Sequence, residues 1–173
     1  MIEAFDFAIL DFIREYIANP FFDIFFKLIT HIGDYAISFV VLGAVCLFFK
    51  KTRKYGIALA IGLTLCLILC NITLKNLFAR IRPFDIKNVA LLINAPTDYS
   101  FPSGHTTCSF LWAEITRRFY KKYGVPAYIL ACLIAFSRMY LYVHYPTDIV
   151  GGIVLGIGIG YISCKTVNIM NKE

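Results

Sequence analysis

The reading of the fold turns on Tyr55–Leu74, YGIALAIGLTLCLILCNITL, twenty residues without a charge. At ~1.5 Å per residue a helix of this length covers about 30 Å, the thickness of a bilayer's hydrocarbon core. Lys50, Lys51, Arg53 and Lys54 stand before it and Lys75 stands directly after it. An uncharged run with cations at both ends reads as a membrane span.

Working outward, the pattern repeats. Tyr35–Phe49 is uncharged, and Ser103–Phe119 is apolar after a polar start. Val125–Val143 is apolar up to Arg138, and Pro146–Val167 is apolar after Asp148. Residues 2–17 place Phe5, Ile9, Phe12, Ile13 and Tyr16 on one helical face and Glu3, Asp6, Asp11, Arg14 and Glu15 on the other. This predicts an amphipathic helix, lying in the interface or packed on the bundle. Asn19-Pro20 breaks it. Phe21–Ile32, with Asp23 and Lys27, is too short for a full span and reads as re-entrant or interfacial. The prediction is an all-α integral membrane bundle of five spans, six if the two N-terminal segments cross together. Residues 1–173 form one domain, with an amphipathic or re-entrant segment at 1–33 and an outer loop at 80–102.

Composition agrees. Of the 173 residues, 59% are hydrophobic and 16% charged, against about 25% charged in a soluble domain. That excludes a disordered chain, a coiled coil and a disulfide-stapled module, and leaves too little polar surface for a soluble globule. The six cysteines, at 46, 66, 70, 108, 132 and 164, form no CxxC pair and read as small hydrophobes. The acidic N-terminus (Glu3, Asp6, Asp11) is unlike a cleavable signal.

The net charge of +6 is partitioned. Lys50, Lys51, Arg53, Lys54, Arg117, Arg118, Lys121, Lys122, Lys165 and Lys172 fall on one side of the alternating spans. The positive-inside rule makes that side cytoplasmic. The other side carries Lys75, Arg80, Arg82, Lys87 and Arg138 among Asp34, Asp85, Asp98 and Asp148. Topology, not nucleic-acid binding, accounts for the excess. Tyr35, Tyr99, Tyr140, Tyr142 and Tyr145 would mark the outer interface, and Val89–Ile93 would rest on the outer surface. Gly152, Gly156 and Gly160 form a stripe for close packing inside the bundle. Glu114 has Arg117 and Arg118 three and four residues on, which reads as an ion pair at the inner interface.

Three clusters carry chemistry, all at the outer side. In Lys75-Asn-Leu-Phe-Ala-Arg-Ile-Arg82-Pro83, the two cations are seven positions apart, two helical turns. In Phe101-Pro102-Ser103-Gly104-His105-Thr106, Ser103 is a candidate N-cap and Gly104 leaves the backbone bare, so the helix start favours an anion. The third is Ser137-Arg138-Met-Tyr-Leu-Tyr-Val-His144-Tyr-Pro-Thr-Asp148. Pro146 suits a first helical position, and Asp148 can accept from one His144 nitrogen and free the other to attack. Three cations, two histidines and a carboxylate suit a phosphate: cations offset its charge, one histidine attacks phosphorus and the other protonates the leaving oxygen. Carboxylates are too few for a two-metal cage, so no metal and no cofactor is expected.

These segments resemble the signature of the type 2 phosphatidic acid phosphatase superfamily, K-x6-RP, PSGH and SR-x5-H-x3-D. Every specified position is present: Lys75, Arg82, Pro83; Pro102, Ser103, Gly104, His105; Ser137, Arg138, His144, Asp148. The resemblance implies a helical bundle of about six spans and a metal-independent membrane lipid phosphatase. It implies His144 as nucleophile forming a phosphohistidine, Asp148 as its orienting partner and His105 as general acid. Lys75, Arg82 and Arg138 would bind phosphate oxygens, with Ser103 and Gly104 as further donors. Arg80 matches no motif position; it would steer substrate or sit at the interface, and the interface is the preferred reading. His31 and Asp34 read as a structural turn. The compact chain is similar to bacterial undecaprenyl-diphosphate phosphatases, which implies an undecaprenyl diphosphate substrate, a plasma or inner membrane location and an extracytoplasmic active site. Phosphatidylglycerophosphate and lipid A 1-phosphate are competing substrates, and transfer to an acceptor lipid competes with hydrolysis. A non-catalytic lipid transporter is the alternative of another class. The haloperoxidases with a similar oxyanion site are soluble, unlike a chain with mean hydropathy +0.70.

Overall fold

The computed structural model describes residues 2–169, and every regular element among them is helical. Helix α1 (Ile2–Phe12) continues through a wide turn, Ile13–Ile17, and stops at Asn19-Pro20. Asn19 then starts α2 (Pro20–Ile32). Its side-chain oxygen accepts from the backbone N–H of Phe21 and Phe22 at 3.1 Å, and Pro20 fills a position that needs no donor. A short turn, Asp34–Ala36, leads into α3 (Ile37–Phe48). Helix α4 (Arg53–Cys66) runs on through a wide-wound stretch, Leu67–Leu74, into α5 (Lys75–Phe78). The short α6 (Pro83–Lys87) follows, then α7 (Gly104–Phe119), α8 (Lys121–Tyr140) and α9 (Pro146–Ile169).

The bundle is built around α7. The glycine stripe of α9 is spent inside the molecule: a Cβ at Gly152 would meet the Ser103 carbonyl oxygen at 2.9 Å, one at Gly156 would overlap the Thr107 carbonyl, and one at Gly160 would meet that of Leu111 at 2.9 Å. Bare backbones let α7 and α9 run side by side in the same direction. Tyr55 of α4 bonds Thr116 at 2.9 Å and packs on Phe119 and Tyr120, so the α3–α4 and α7–α8 connections share one end of the bundle. That end holds the basic loops. There Glu114 is buried and accepts from Arg117, Arg118 and Tyr128, the ion pair expected from its spacing.

Among the described residues three helical stretches are long and apolar enough to cross a membrane: 53–87, 121–140 and 146–168. Helices α2 and α3, bent by 41° at their junction, make a fourth if they count as one span. The chain is therefore a multi-pass membrane protein. The expected span at Ser103–Phe119 is not among them, for a physical reason. Helix α7 has only 16 residues, and it buries Thr106, Thr107, Ser109, Glu114 and Thr116 against its neighbours. A helix encased by protein needs no lipid-compatible surface.

Helix α1 also departs from expectation. Asp6, Leu10 and Ile13 form its buried face, whereas Phe5, Phe12 and Tyr16 point outward. The acidic residue assigned to the water-facing side is the one most deeply enclosed. Tyr140, Tyr142 and Tyr145 are buried and form no interfacial belt; Tyr140 donates to Asp23 at 2.7 Å and Tyr142 to Asp11 at 2.6 Å. Val89, Leu91 and Ile93 of the long loop pack onto this same cluster of α1, α2 and the α8–α9 turn.

Candidate active site

At the end opposite the basic loops, α5 and α8 finish while α7 and α9 begin. Helix α9 opens with Pro146 in its first turn. Asp148 lies two residues on, and one of its oxygens, Oδ2, reaches back to accept the Tyr145 N–H at 2.9 Å. This is the carboxylate half of a capping box. The same oxygen accepts the Ser100 hydroxyl at 2.5 Å and lies 3.4 Å from His144 Nδ1. His144 is carried on a tight turn in which Tyr142 takes the left-handed conformation, φ 59°. The Arg138 carbonyl accepts from both Val143 N (3.1 Å) and His144 N (3.3 Å), tying the turn to the end of α8.

His144 and Asp148 are 1% and 0% exposed. Burial holds the imidazole well below its ordinary pKa, and the charges of Arg82, Arg138 and Lys75 push the same way. With Nδ1–H turned to Asp148, the lone pair sits on Nε2, 3.2 Å from Arg82 Nη1.

Lys75 and Arg82 converge, though not along one helix. Helix α5 ends at Phe78, and Ala79 turns the chain in a left-handed conformation, φ 43°. Both cations nonetheless bind Asp98: Arg82 Nη2 at 2.6 Å to one oxygen, and Lys75 Nζ to the other. Arg82 also donates to the Asp98 and Val143 carbonyls at 2.8 and 2.7 Å, and Lys75 to that of Tyr99 at 3.0 Å. Burial alone would raise the Asp98 carboxyl, but the two cations outweigh it and hold its pKa at about 2. A carboxylate thus bridges the pair assigned to phosphate oxygens. Arg138 is 3% exposed; it donates to Thr30, and its Nε has no partner among the described residues.

Ser103 caps α7, its hydroxyl accepting from Thr106 N at 3.4 Å, while its own N–H donates to the Asp148 carbonyl at 3.2 Å. The peptide bond before Pro102 is cis. Gly104 follows, and a Cβ there would meet only the Asn71 side chain, at 3.3 Å. His105, in the first turn of α7, presents Nε2 to Asp34 at 2.9 Å.

Five contributors escaped the sequence reading. Arg80 is no interface residue: Nη1 binds Asp148 Oδ1 at 2.6 Å, Nη2 binds Asp6 at 2.7 Å, and the guanidinium lies 3.8 Å from the Tyr145 ring centre. Asp6 accepts the Thr147 N–H (3.1 Å) and hydroxyl (2.6 Å), so α1 caps the start of α9. Ser100, Asp98 and Asp34 complete the set. In the sequence Arg80 reads as an interface residue and Asp34 as part of a turn with His31; the other three carry no motif signal. Among the described residues no group of three or more His, Cys, Asp or Glu side chains is arranged to hold a metal ion.

The fold is an all-helical membrane bundle, and at one end of it a buried histidine stands beside the Arg82 guanidinium. Residues 54–171 match the profile of the PAP2 superfamily. An undecaprenyl-diphosphatase of Sulfolobus acidocaldarius is 36% identical over 124 residues, covering 70% of this chain and 60% of that protein. Undecaprenyl-diphosphatase BcrC of Bacillus subtilis is 32% identical over 138 residues, covering 79% and 72%. A transmembrane PAP2-type phosphatidylglycerolphosphate phosphatase from Bacillus subtilis superposes with a TM-score of 0.75 at 28% identity, covering 94% of this chain and 84% of that one. The chain belongs to the PAP2 superfamily. The relatives named here carry the names of phosphatases.

Proposed function

We propose that this protein hydrolyses the terminal phosphate of a membrane lipid at the extracytoplasmic interface, with undecaprenyl diphosphate as the substrate. One observation carries the chemistry: a buried His144 has Asp148 on one nitrogen and Arg82 beside the other. His144 Nε2 attacks phosphorus, forming an N–P bond as the bond to the leaving oxygen breaks. His105 gives that oxygen its proton. Water then attacks the phosphohistidine, His105 takes the water's proton, and His144 is released with inorganic phosphate. Lys75, Arg82 and Arg138 hold the phosphate oxygens, with Ser103 and Gly104 at the start of α7 as further donors. The phosphate takes the place of the Asp98 carboxylate between Lys75 and Arg82.

The substrate choice rests on the names of the Sulfolobus and Bacillus relatives. Phosphatidylglycerophosphate is the second reading, favoured by the superposition on the Bacillus phosphatase. The orientation rests on the basic end, where Lys50, Lys51, Lys54, Lys121 and Lys122 lie away from the site. In this reading α7 crosses with its neighbours, α3 crosses from the site end to the basic end, and α2 lies along the outer side against the end of α8, giving five passes. Phe5, Phe12 and Tyr16 of α1 face the lipid, and the loop of residues 80–102 is outside.

The test is phosphate release by the purified protein from undecaprenyl diphosphate, phosphatidylglycerophosphate and lipid A 1-phosphate, with and without acceptor lipids. Undecaprenyl diphosphate turns over fastest and no phosphorylated acceptor forms. Turnover confined to another lipid would discard the substrate, and lipid transport without release would discard the enzyme.

A further inference from the structure

His105 has a carboxylate of its own. Asp34 comes from the short turn between α2 and α3, 71 positions away in sequence, and its Oδ1 lies 2.9 Å from His105 Nε2. Its other oxygen is 2.6 Å from His31 Nδ1. An ionised carboxylate only accepts, so both histidines donate to it. The turn is shaped for this contact. Gly33 lies so close to the imidazole that a Cβ there would meet His105 Cδ2 at 2.7 Å. Ala36 takes a left-handed conformation, φ 55°, which is uncommon for a residue with a side chain. The Cδ2–Nε2 edge of the ring is thereby held against the turn. Nδ1 lies on the opposite edge.

We propose that Asp34 is a positioning residue for the general acid: it fixes the Nε2–H of His105, so that Nδ1 is the nitrogen that gives the proton to the leaving oxygen and takes it back from water, and His31 steadies the carboxylate. This rests on the reading of His105 given above. In the first step the Nδ1 proton of the imidazolium moves to the leaving oxygen as the P–O bond breaks. The neutral ring keeps its Nε2–H on Asp34. In the second step a water oxygen bonds phosphorus, the P–N bond to His144 breaks, and the water's proton returns to Nδ1. Asp34 stabilises the imidazolium before the first step and after the second, and is never itself protonated, the role a carboxylate plays behind a catalytic histidine.

A leaving-group comparison tests this, because a structural role would not distinguish leaving groups. Farnesyl monophosphate expels an alkoxide and needs a proton; farnesyl diphosphate expels a phosphate and needs one far less. The purified full chain and its Asp34→Asn variant are assayed on both. Asn cannot serve as the anionic partner, so kcat/KM, which reports the step that expels the leaving group, falls about 10- to 100-fold for the monophosphate and less than about threefold for the diphosphate, while the water step common to both slows alike. Orthovanadate inhibition stays at the wild-type concentration, which certifies a folded site. Asp34→Asn added to His105→Ala costs nothing further, because both act through one group. Gly33→Ala, which pushes the ring off the turn, gives the same split and serves if Asp34→Asn is not recovered folded. Equal losses of kcat/KM on both substrates, or additive losses in the double variant, would overturn the proposal. Undiminished turnover of both substrates by His105→Ala would instead overturn the general-acid reading, and the role of Asp34 with it.

Discussion

Two histidine–aspartate pairs stand at the same end of the bundle, and they are built differently. His144 and Asp148 lie four residues apart, one before and one inside the first turn of α9, with side chains 1% and 0% exposed. His105 and Asp34 come from different parts of the chain, with side chains 20% and 36% exposed. The buried pair is locked from every side: Asp148 takes Ser100, Tyr145 N–H and Arg80, and His144 is tied through its backbone to Arg138. The outer pair has one further partner, the exposed His31. A nucleophile needs one fixed geometry and a desolvated lone pair. A group that passes protons to a leaving oxygen and then receives them from water needs access. The contrast in burial matches that division of labour.

The comparison can be broken. His144→Ala removes the group that bonds phosphorus, and phosphate release falls by about 10⁴-fold or more; protein labelled with radioactive phosphate and trapped in alkali shows no phosphohistidine. Retained turnover would remove the basis for assigning the buried pair. His105→Ala leaves the nucleophile, so release falls by about 10²–10⁴-fold. The base-stable label still forms from a diphosphate substrate. Were the label lost completely, the two histidines would not have separate tasks.

Stability is expected to differ as well. Arg80→Ala leaves Asp6 and Asp148 without their shared cation in a buried setting, at a cost of about 3–5 kcal/mol. The unfolding midpoint in detergent drops and α1 becomes accessible to protease. His31→Asn, at the exposed pair, leaves the midpoint nearly unchanged. Asp98→Asn has a smaller, opposite effect on ligand binding. The Asp98 side chain is 54% exposed, so its bridge to Lys75 and Arg82 is worth about 1 kcal/mol or less. Freed of it, the cations bind orthovanadate about two- to fivefold more tightly. Weaker binding would show that Asp98 holds the cations in place for phosphate. The smallest effect is that of chelators: EDTA leaves phosphate release unchanged, and inactivation reversed by Mg²⁺ would contradict catalysis by cationic side chains.

The local parts of this site were legible because their chemistry is contained in short segments. Ser103 caps the helix it begins, and Asp148 reaches back to Tyr145 N within one turn. The cations Lys75 and Arg82 were paired correctly but by the wrong route: the helix between them stops at Phe78, and the loop carboxylate of Asp98 is what joins them. Helix α1 misled more deeply. Its periodicity sorted Asp6 with the solvent-facing charges, because periodicity weighs an acidic residue as polar whatever stands opposite it. Asp6 is buried because Arg80 and Thr147, 74 and 141 positions away, supply its hydrogen bonds.

By itself the sequence determined the solvent and the inventory of the site: runs such as Tyr55–Leu74 are too apolar for water, and the three motifs supply the cations, histidines and carboxylate that we propose act on a phosphate. Those are properties of single segments. Tertiary structure alone decided how the reagents are held, by Asp34 behind His105, by Arg80 and Asp6 behind Asp148, and by Asp98 between Lys75 and Arg82. A buried charge is tolerated only beside its partner, and in this chain the partners meet only when distant helices pack.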